Sequence, residues 1–265
     1  MAVTEVREGL DTGAVQETVP RRSLGRRSVA GYLFMPALLA AVLLVLWQWV
    51  SAQQLDSREQ ERLNWDTIVT ATIEHLQLTA VATVIVVAIA VPLGILLTRP
   101  FLGAITRPTI GVFNVGMALP SIGILVLLAI VWDIGFWPVI VALVIYTVLP
   151  VLRNTMVGLQ QVDRAVIESA RGMGMTKRGV LFRIELRLAV PVMMAGIRTA
   201  LVIMVGTAAL ATFVAAGGLG GLIVAGINGG RPTITITGAV LIATLAVLID
   251  YLAGIAEDLL RPKGT

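Results

Sequence analysis

Long apolar stretches separated by shorter polar segments dominate the chain, at residues 30–50, 76–98, 109–131, 136–152, 191–214 and 234–252. A helix rises about 1.5 Å per residue, so roughly 20 apolar residues cross the hydrocarbon core of a bilayer. The pattern therefore predicts about six membrane-crossing helices. The fourth is the shortest, and Trp137-Pro138 near its start reads as an interfacial entry after a tight turn. The fold class is all-α, a polytopic membrane helical bundle. In the third span, Gly116-Met117-Ala118-Leu119-Pro120-Ser121 predicts a kink or break, because proline removes a backbone donor and disfavours helix at Leu119. Broken helices at membrane depth persist only where the freed groups face protein or a water-filled path. Leu119, Pro120 and Ser121 are thus candidate pathway or gate residues, with a kink that serves only packing as the alternative. Gly206 and Thr207 in the fifth span read either as pathway lining or as close-packing positions between helices.

The polar segments divide the chain further. Residues 1–29 mix Glu5, Glu8, Asp11 and Glu17 with Gly, Thr and Arg and show no apolar period, which predicts a disordered tail. Residues 30–75 hold the first span and a loop, of which 51–66 make a partly amphipathic approach to the second span. Trp47, Gln48 and Trp49 resemble an interfacial anchor more than a cleavage site, so the first span reads as a retained helix. Residues 76–255 form the core, with a polar loop over 153–190, and 256–265 form a second tail. Within that loop, Val162, Val166, Ala170 and Met173 recur at helical spacing, opposite Asp163, Arg164, Glu168 and Arg171. Gly172 and Gly174 then allow a sharp turn, and Thr176 can cap a second short helix bearing Val180, Leu181 and Ile184. Two short helices joined by a glycine turn make a rigid knob. The run Gly217-Gly218-Leu219-Gly220-Gly221 lacks the lysine and hydroxyl residue of a phosphate-binding loop, and predicts a turn or re-entrant bend.

Composition and charge sharpen this picture. The chain is 57% hydrophobic and 14% charged, with a mean hydropathy of +0.91, outside the range of soluble domains. A net charge of +4 could suggest nucleic acid, but the basic residues collect in loops on one side. If the N-terminus is cytoplasmic, the inner segments hold Arg7, Arg21, Arg22, Arg26, Arg27, Arg99, Arg107, Arg153, the other basic residues of the 153–190 loop, Arg261 and Lys263. The outer segments hold only Arg58, Arg62 and Arg231. This bias places both termini and the Glu168 loop in the cytoplasm, and expects no nucleic-acid partner. The absence of cysteine excludes disulfides and thiolate ligands, and His75, the single histidine, cannot build a metal site alone. His75 is expected at a solvated interface. Asp133 and Asp250 are expected at span ends, and Arg198, inside the fifth span, is expected to snorkel or to pair with a neighbour.

The loop brings a family into view. Glu168-Ser169-Ala170, three further residues, Gly174, nine further residues, then Ile184-x-Leu186 resembles the EAA loop of bacterial ABC importer permeases. Two positions depart: Ser169 stands where alanine is usual, and Arg187 where proline is usual. The missing proline leaves Pro191 as the nearest marker for the start of the next span. The resemblance implies an ATPase-coupling loop comprising Glu168, Ser169, Ala170, Gly172, Gly174, Ile184 and Leu186. Gly172 to Thr176, Ala195 to Ala200, the Gly217, Gly218, Gly220, Gly221 turn, Pro92-Leu93-Gly94 and the Leu119-Pro120-Ser121 break are together similar to the osmoprotectant branch, which imports glycine betaine, choline or carnitine. That resemblance spans residues 76–255, a five-helix core of the methionine-importer-like type, preceded here by one additional helix.

It implies a permease subunit with no catalytic residues and no bound cofactor, ATP and Mg being used by two ABC ATPase subunits. A second permease chain, an extracytoplasmic solute-binding protein and the lipid bilayer of a bacterial cell are the other implied partners. The same architecture importing an amino acid or a phosphonate stays open. An ion-coupled secondary transporter would need polar coupling residues at mid-membrane, of which only Arg198 is found. A membrane-embedded enzyme would need a nucleophile, base or metal cluster in or beside the spans, and the residues offer none.

Overall fold

The computed structural model describes residues 29–260. The tail expected over 1–29 lies outside the described residues apart from Val29, and so do residues 261–265. The described chain is built of helices: α1 (Val29–Ser51), α2 (Ser57–Arg62), α3 (Trp65–Leu97), α4 (Gly103–Ala118), α5 (Ser121–Val131), α6 (Phe136–Gln160), α7 (Arg164–Gly172), α8 (Lys177–Val180), α9 (Leu186–Ala208), α10 (Gly220–Gly229) and α11 (Pro232–Leu260). Among the described residues, five helical stretches are long and apolar enough to cross a bilayer. The α4–α5 pair, bent by 93°, makes a sixth crossing when taken as one span.

Several boundaries differ from the sequence reading, each for a local reason. The second span begins at Trp65 rather than at 76, because Asn64 caps the helix by accepting the Thr67 N–H at 2.8 Å. The fourth runs through Pro150 to Gln160, so its polar final turns stand beyond the apolar window. The sixth continues to Leu260, so residues 256–260 are helical rather than tail. The 153–190 loop shrinks accordingly. Only residues 161–163 and 173–176 separate helices there, because α8 passes through one π turn (Leu181–Glu185) directly into α9. With Arg187 in place of a helix-stopping proline, the expected second short helix has no end of its own. Pro191 sits inside α9.

The core forms where α3, α6 and α9 meet. Leu78, Ala82, Val86 and Ala90 lie four residues apart on one stripe of α3 and are essentially fully buried. They pack with Val139, Ile140, Leu143 and Leu152 of α6 and with Ala200 and Met204 of α9. Small residues set the spacing: a Cβ at Gly94 would lie 2.7 Å from Thr155 Cγ2, and one at Gly196 would lie 2.9 Å from the Pro150 carbonyl. In contrast, α4 has no fully buried residue among those described and reaches the core only through the partly buried Ile110 and Phe113. Helix α1 leans on α11, where the Tyr251 hydroxyl donates to the Tyr32 carbonyl and the Tyr32 hydroxyl donates to Asp258 at 3.0 Å.

Charged groups tie the same elements. Arg198 meets Asp250 through two parallel bonds of 2.9 Å and reaches Glu257 at 3.2 Å, so it joins α9 to α11. The expected pairing of Arg198 is found, but Asp250 lies within α11 rather than at a span end, where Arg198 neutralises it. Asp133 does occupy the α5–α6 turn. His75 departs from expectation: it is fully buried, with Nε2 3.0 Å from the Val205 carbonyl oxygen of α9. Its α3 position faces α9 rather than the surface.

Candidate functional site

At one end of the bundle, the α6–α9 connection builds a compact projection. Asp163 caps α7 by accepting the Ala165 N–H at 2.8 Å. Val162 and Ala170 turn inward and are buried, whereas Val166 and Met173, expected on the same apolar face, are exposed, Met173 at 77%. The turn after α7 has a defined geometry. The Gly174 N–H donates to the Arg171 carbonyl at 2.9 Å, and the Met175 N–H donates to the Ala170 carbonyl at 3.2 Å, with Gly174 at φ +86°. This is the paired bonding of a Schellman helix end, which requires a left-handed residue where Gly174 stands. Thr176 then caps α8 by accepting the Gly179 N–H at 3.1 Å. Two helix ends are thus pinned by hydrogen bonds within a few residues of each other.

Of the residues expected in this loop, Glu168, Ser169, Gly172 and Gly174 are exposed and Ala170 is buried beneath them. Ile184 and Leu186 are half-buried on the π turn and the start of α9. Leu186 packs with Leu159, Ala189 and Met193. The projection therefore offers a carboxylate, small residues and the apolar Met173 and Phe182 side chains outward, on a base locked into α6 and α9. The sequence reading missed Glu185, which is buried and bonds to Arg99 at 2.7 Å. Its signal was a lone carboxylate among Lys177, Arg178, Arg183 and Arg187.

The break in the third span is real. Helix α4 stops at Ala118, Leu119 and Pro120 are extended, and α5 restarts at Ser121 in a new direction. Leu119 and Pro120 are exposed on this chain and Ser121 is half-buried. Gly206 is exposed, and among the described residues a Cβ there would meet nothing within 4 Å. Thr207 beside it is half-buried. These elements are not brought together with the Glu168 projection, which lies on the polar connection beyond the spans.

At the opposite end, the glycine run forms a turn over Ala215 to Leu219, while Gly220 and Gly221 begin α10 instead of belonging to the turn. Gly217 and Gly218 have φ +78° and +92°, and the Gly218 N–H donates to Glu74 Oε2 at 2.8 Å. Helix α10 then packs back along α11, so of the two expected forms the turn is present, at Ala215 to Leu219. A cavity of about 420 Å³ opens there, lined by Arg62, Asp66, Glu74, Thr212, Gly217 and Gly218 among others. On the same end, Arg231 Nε donates to Asp56 at 2.9 Å and ties the cap of α2 to the start of α11. The Arg231 guanidinium, followed by the Glu59 backbone N–H, holds the Asp56 carboxyl below the ordinary aspartate value.

Comparison with known proteins agrees with this geometry. Residues 90–262 match the family described as the binding-protein-dependent transport system inner membrane component. The choline transport system permease protein OpuBB of Bacillus subtilis is 44% identical over 73% of this chain and 88% of its own length. The glycine betaine/carnitine/choline transport system permease protein OpuCB of the same organism is 42% identical over 72% of this chain and 87% of its own. Among solved structures, an inward-facing form of the MetNI methionine ABC transporter superposes with a TM-score of 0.65 at 27% identity, covering 73% of this chain and 96% of that one. The chain belongs to the binding-protein-dependent transport family, as a multi-pass inner-membrane permease subunit of an ABC importer.

Proposed function

We propose that this chain forms the path for a quaternary-ammonium osmoprotectant, namely choline, glycine betaine or carnitine, and couples that path to two separate ABC ATPase subunits. The observation that carries the coupling is the Schellman-turned projection with Glu168 exposed on it. Such a body can transmit displacement, because its helix ends are pinned by hydrogen bonds rather than left to fray. ATP and Mg are used by the ATPase subunits, and this chain contributes no catalytic group and binds no cofactor. The choice of solute is supported by the choline, carnitine and glycine betaine named in the relatives above.

The broken span supports a path shared with a second permease chain. The break between α4 and α5 creates two helix ends, whose terminal backbone groups have no intrahelical partners, beside Leu119 and Pro120, which the described residues leave exposed. In lipid those groups are costly unless protein or water meets them. A second permease chain against α4, α5 and Gly206 supplies the protein, and the path between the chains supplies the water. The bias of lysine and arginine supports a cytoplasmic position for both termini and the Glu168 projection, with an extracytoplasmic binding protein delivering solute to the end bearing α2 and the glycine turn.

The test is uptake of radiolabelled choline, glycine betaine and carnitine by proteoliposomes containing this chain with its co-encoded ATPase and binding protein. ATP-dependent accumulation of at least one is the expected result. An ATPase that docks without uptake of any of the three would overturn the solute assignment, and failure of the ATPase to dock would overturn the coupling role.

A further inference from the structure

We propose that the Arg99–Glu185 ion pair is the strut through which displacement of the Glu168 projection reaches α3 and, beyond it, the α4–α5 break. The proposal rests on the coupling role assigned above. Glu185 closes the π turn at the one place where the projection's helix becomes a membrane helix. A π turn widens the backbone ladder and is frequent at functional sites. The Glu185 side chain is 10% exposed, and its Oε2 accepts from Arg99 Nη2 at 2.7 Å across 86 positions of sequence.

Arg99 is itself held. Its Nε donates to the Ile95 carbonyl in the last turn of α3 at 3.3 Å, so the guanidinium moves with that helix. Immediately after it, residues 100–102 form a single turn into α4, and the Thr106 hydroxyl donates to the carbonyls of Leu97 and Leu102 at 3.0 and 3.1 Å. The end of α3 and the start of α4 are therefore one body, and the ion pair attaches the π turn to it. Leu181 and Leu186 flank Glu185 and pack in the cluster that includes Val91 and Ile95 of α3. Apolar contact at this joint resists separation but is non-directional. The charged bond adds direction, transmitting both push and pull along the line between α3 and the projection. Tilting α3 in this way moves α4, whose far end is the Leu119–Pro120 break.

Arg99 and Glu185 are positioning residues, so the decisive quantity is solute transported per ATP hydrolysed in the assembled complex with its ATPase and binding protein. Glu185→Gln and Arg99→Gln are expected to insert, to co-purify with the ATPase and to hydrolyse ATP. Their uptake per ATP is expected to fall by about tenfold, as befits the loss of a coupling contact. The double exchange Arg99→Glu with Glu185→Arg restores the bond with reversed polarity and is expected to recover most of the ratio. A merely structural bond would lower protein yield and both activities together, leaving their ratio unchanged. An unchanged ratio in either single variant that assembles, or a double exchange that assembles without recovering the ratio, overturns the strut. A wild-type chain that fails to bind the ATPase would instead overturn the coupling role itself, a result read before any variant is compared.

Discussion

Gly174 sits at φ +86° with open space around the position its Cβ would occupy, so a side chain there is opposed by backbone conformation and not by a neighbour. Gly174→Val therefore costs about 1–2 kcal/mol of local stability, which unwinds the Schellman end and releases Met173 and Met175 from register. Glu168→Lys leaves that turn intact and reverses the exposed charge. Both variants are expected to insert normally, and both should lose ATPase co-purification. Gly174→Val alone should also speed amide exchange over residues 170–176. A Glu168→Lys chain that binds the ATPase as wild type does would remove Glu168 from the docking surface. Gly174 was legible in the sequence because a turn of this kind names its residue. His75 was not, since its burial is decided by the Val205 carbonyl 130 positions away. Nothing beside His75 in the chain announces that contact.

Helix α2 is a short polar element without buried residues, and Asp56 holds it in two ways. The carboxylate caps the helix by accepting the Glu59 N–H at 2.8 Å, and it also receives the Arg231 guanidinium. Because the folded Asp56 carboxyl titrates below its unfolded value of 3.8, this strap is fully formed above that pH and is lost as pH falls through the lowered folded value. Proteolysis or amide exchange over residues 52–64 is expected to stay constant through neutral and mildly acidic pH and to rise only below about pH 4. Arg231→Gln should produce the loosened state already at pH 7. A rise near pH 6 would point to another group. At this scale the sequence showed the spans but neither their joins nor the short helix α10. Apolar periodicity marks a span by its lipid-compatible stretch, so the first turns of α3, the polar end of α6 and the helical residues 256–260 escaped it. The uninterrupted passage from α8 to α9 follows from the absence of proline at position 187, a departure visible in the sequence whose result only the three-dimensional packing determines.

The chain as a whole combines a buried seam of α3, α6 and α9 with a surface whose apolar side chains face different surroundings, and exposure alone does not distinguish lipid, a second chain and water. The absence of cysteine makes these surroundings measurable one position at a time. In a single-cysteine series, Leu44→Cys on the outlying α1, exposed at 59%, is expected to resist membrane-impermeant maleimides because lipid covers it. Ser121→Cys at the break and Gly206→Cys on α9 are expected to react from water when they line the path. Their rates should differ several-fold between the nucleotide-free complex and one trapped with ATP, since the two states bind the projection differently. Arg58→Cys should react from the outside of intact cells and Met173→Cys only after the membrane is opened, which fixes orientation in the same experiment. State-independent labelling at Ser121 and Gly206, at the rate of Leu44, would place both positions in lipid and remove the α4–α5 break from the path. The helix-end backbone groups at the break would then have to be met wholly by a second chain.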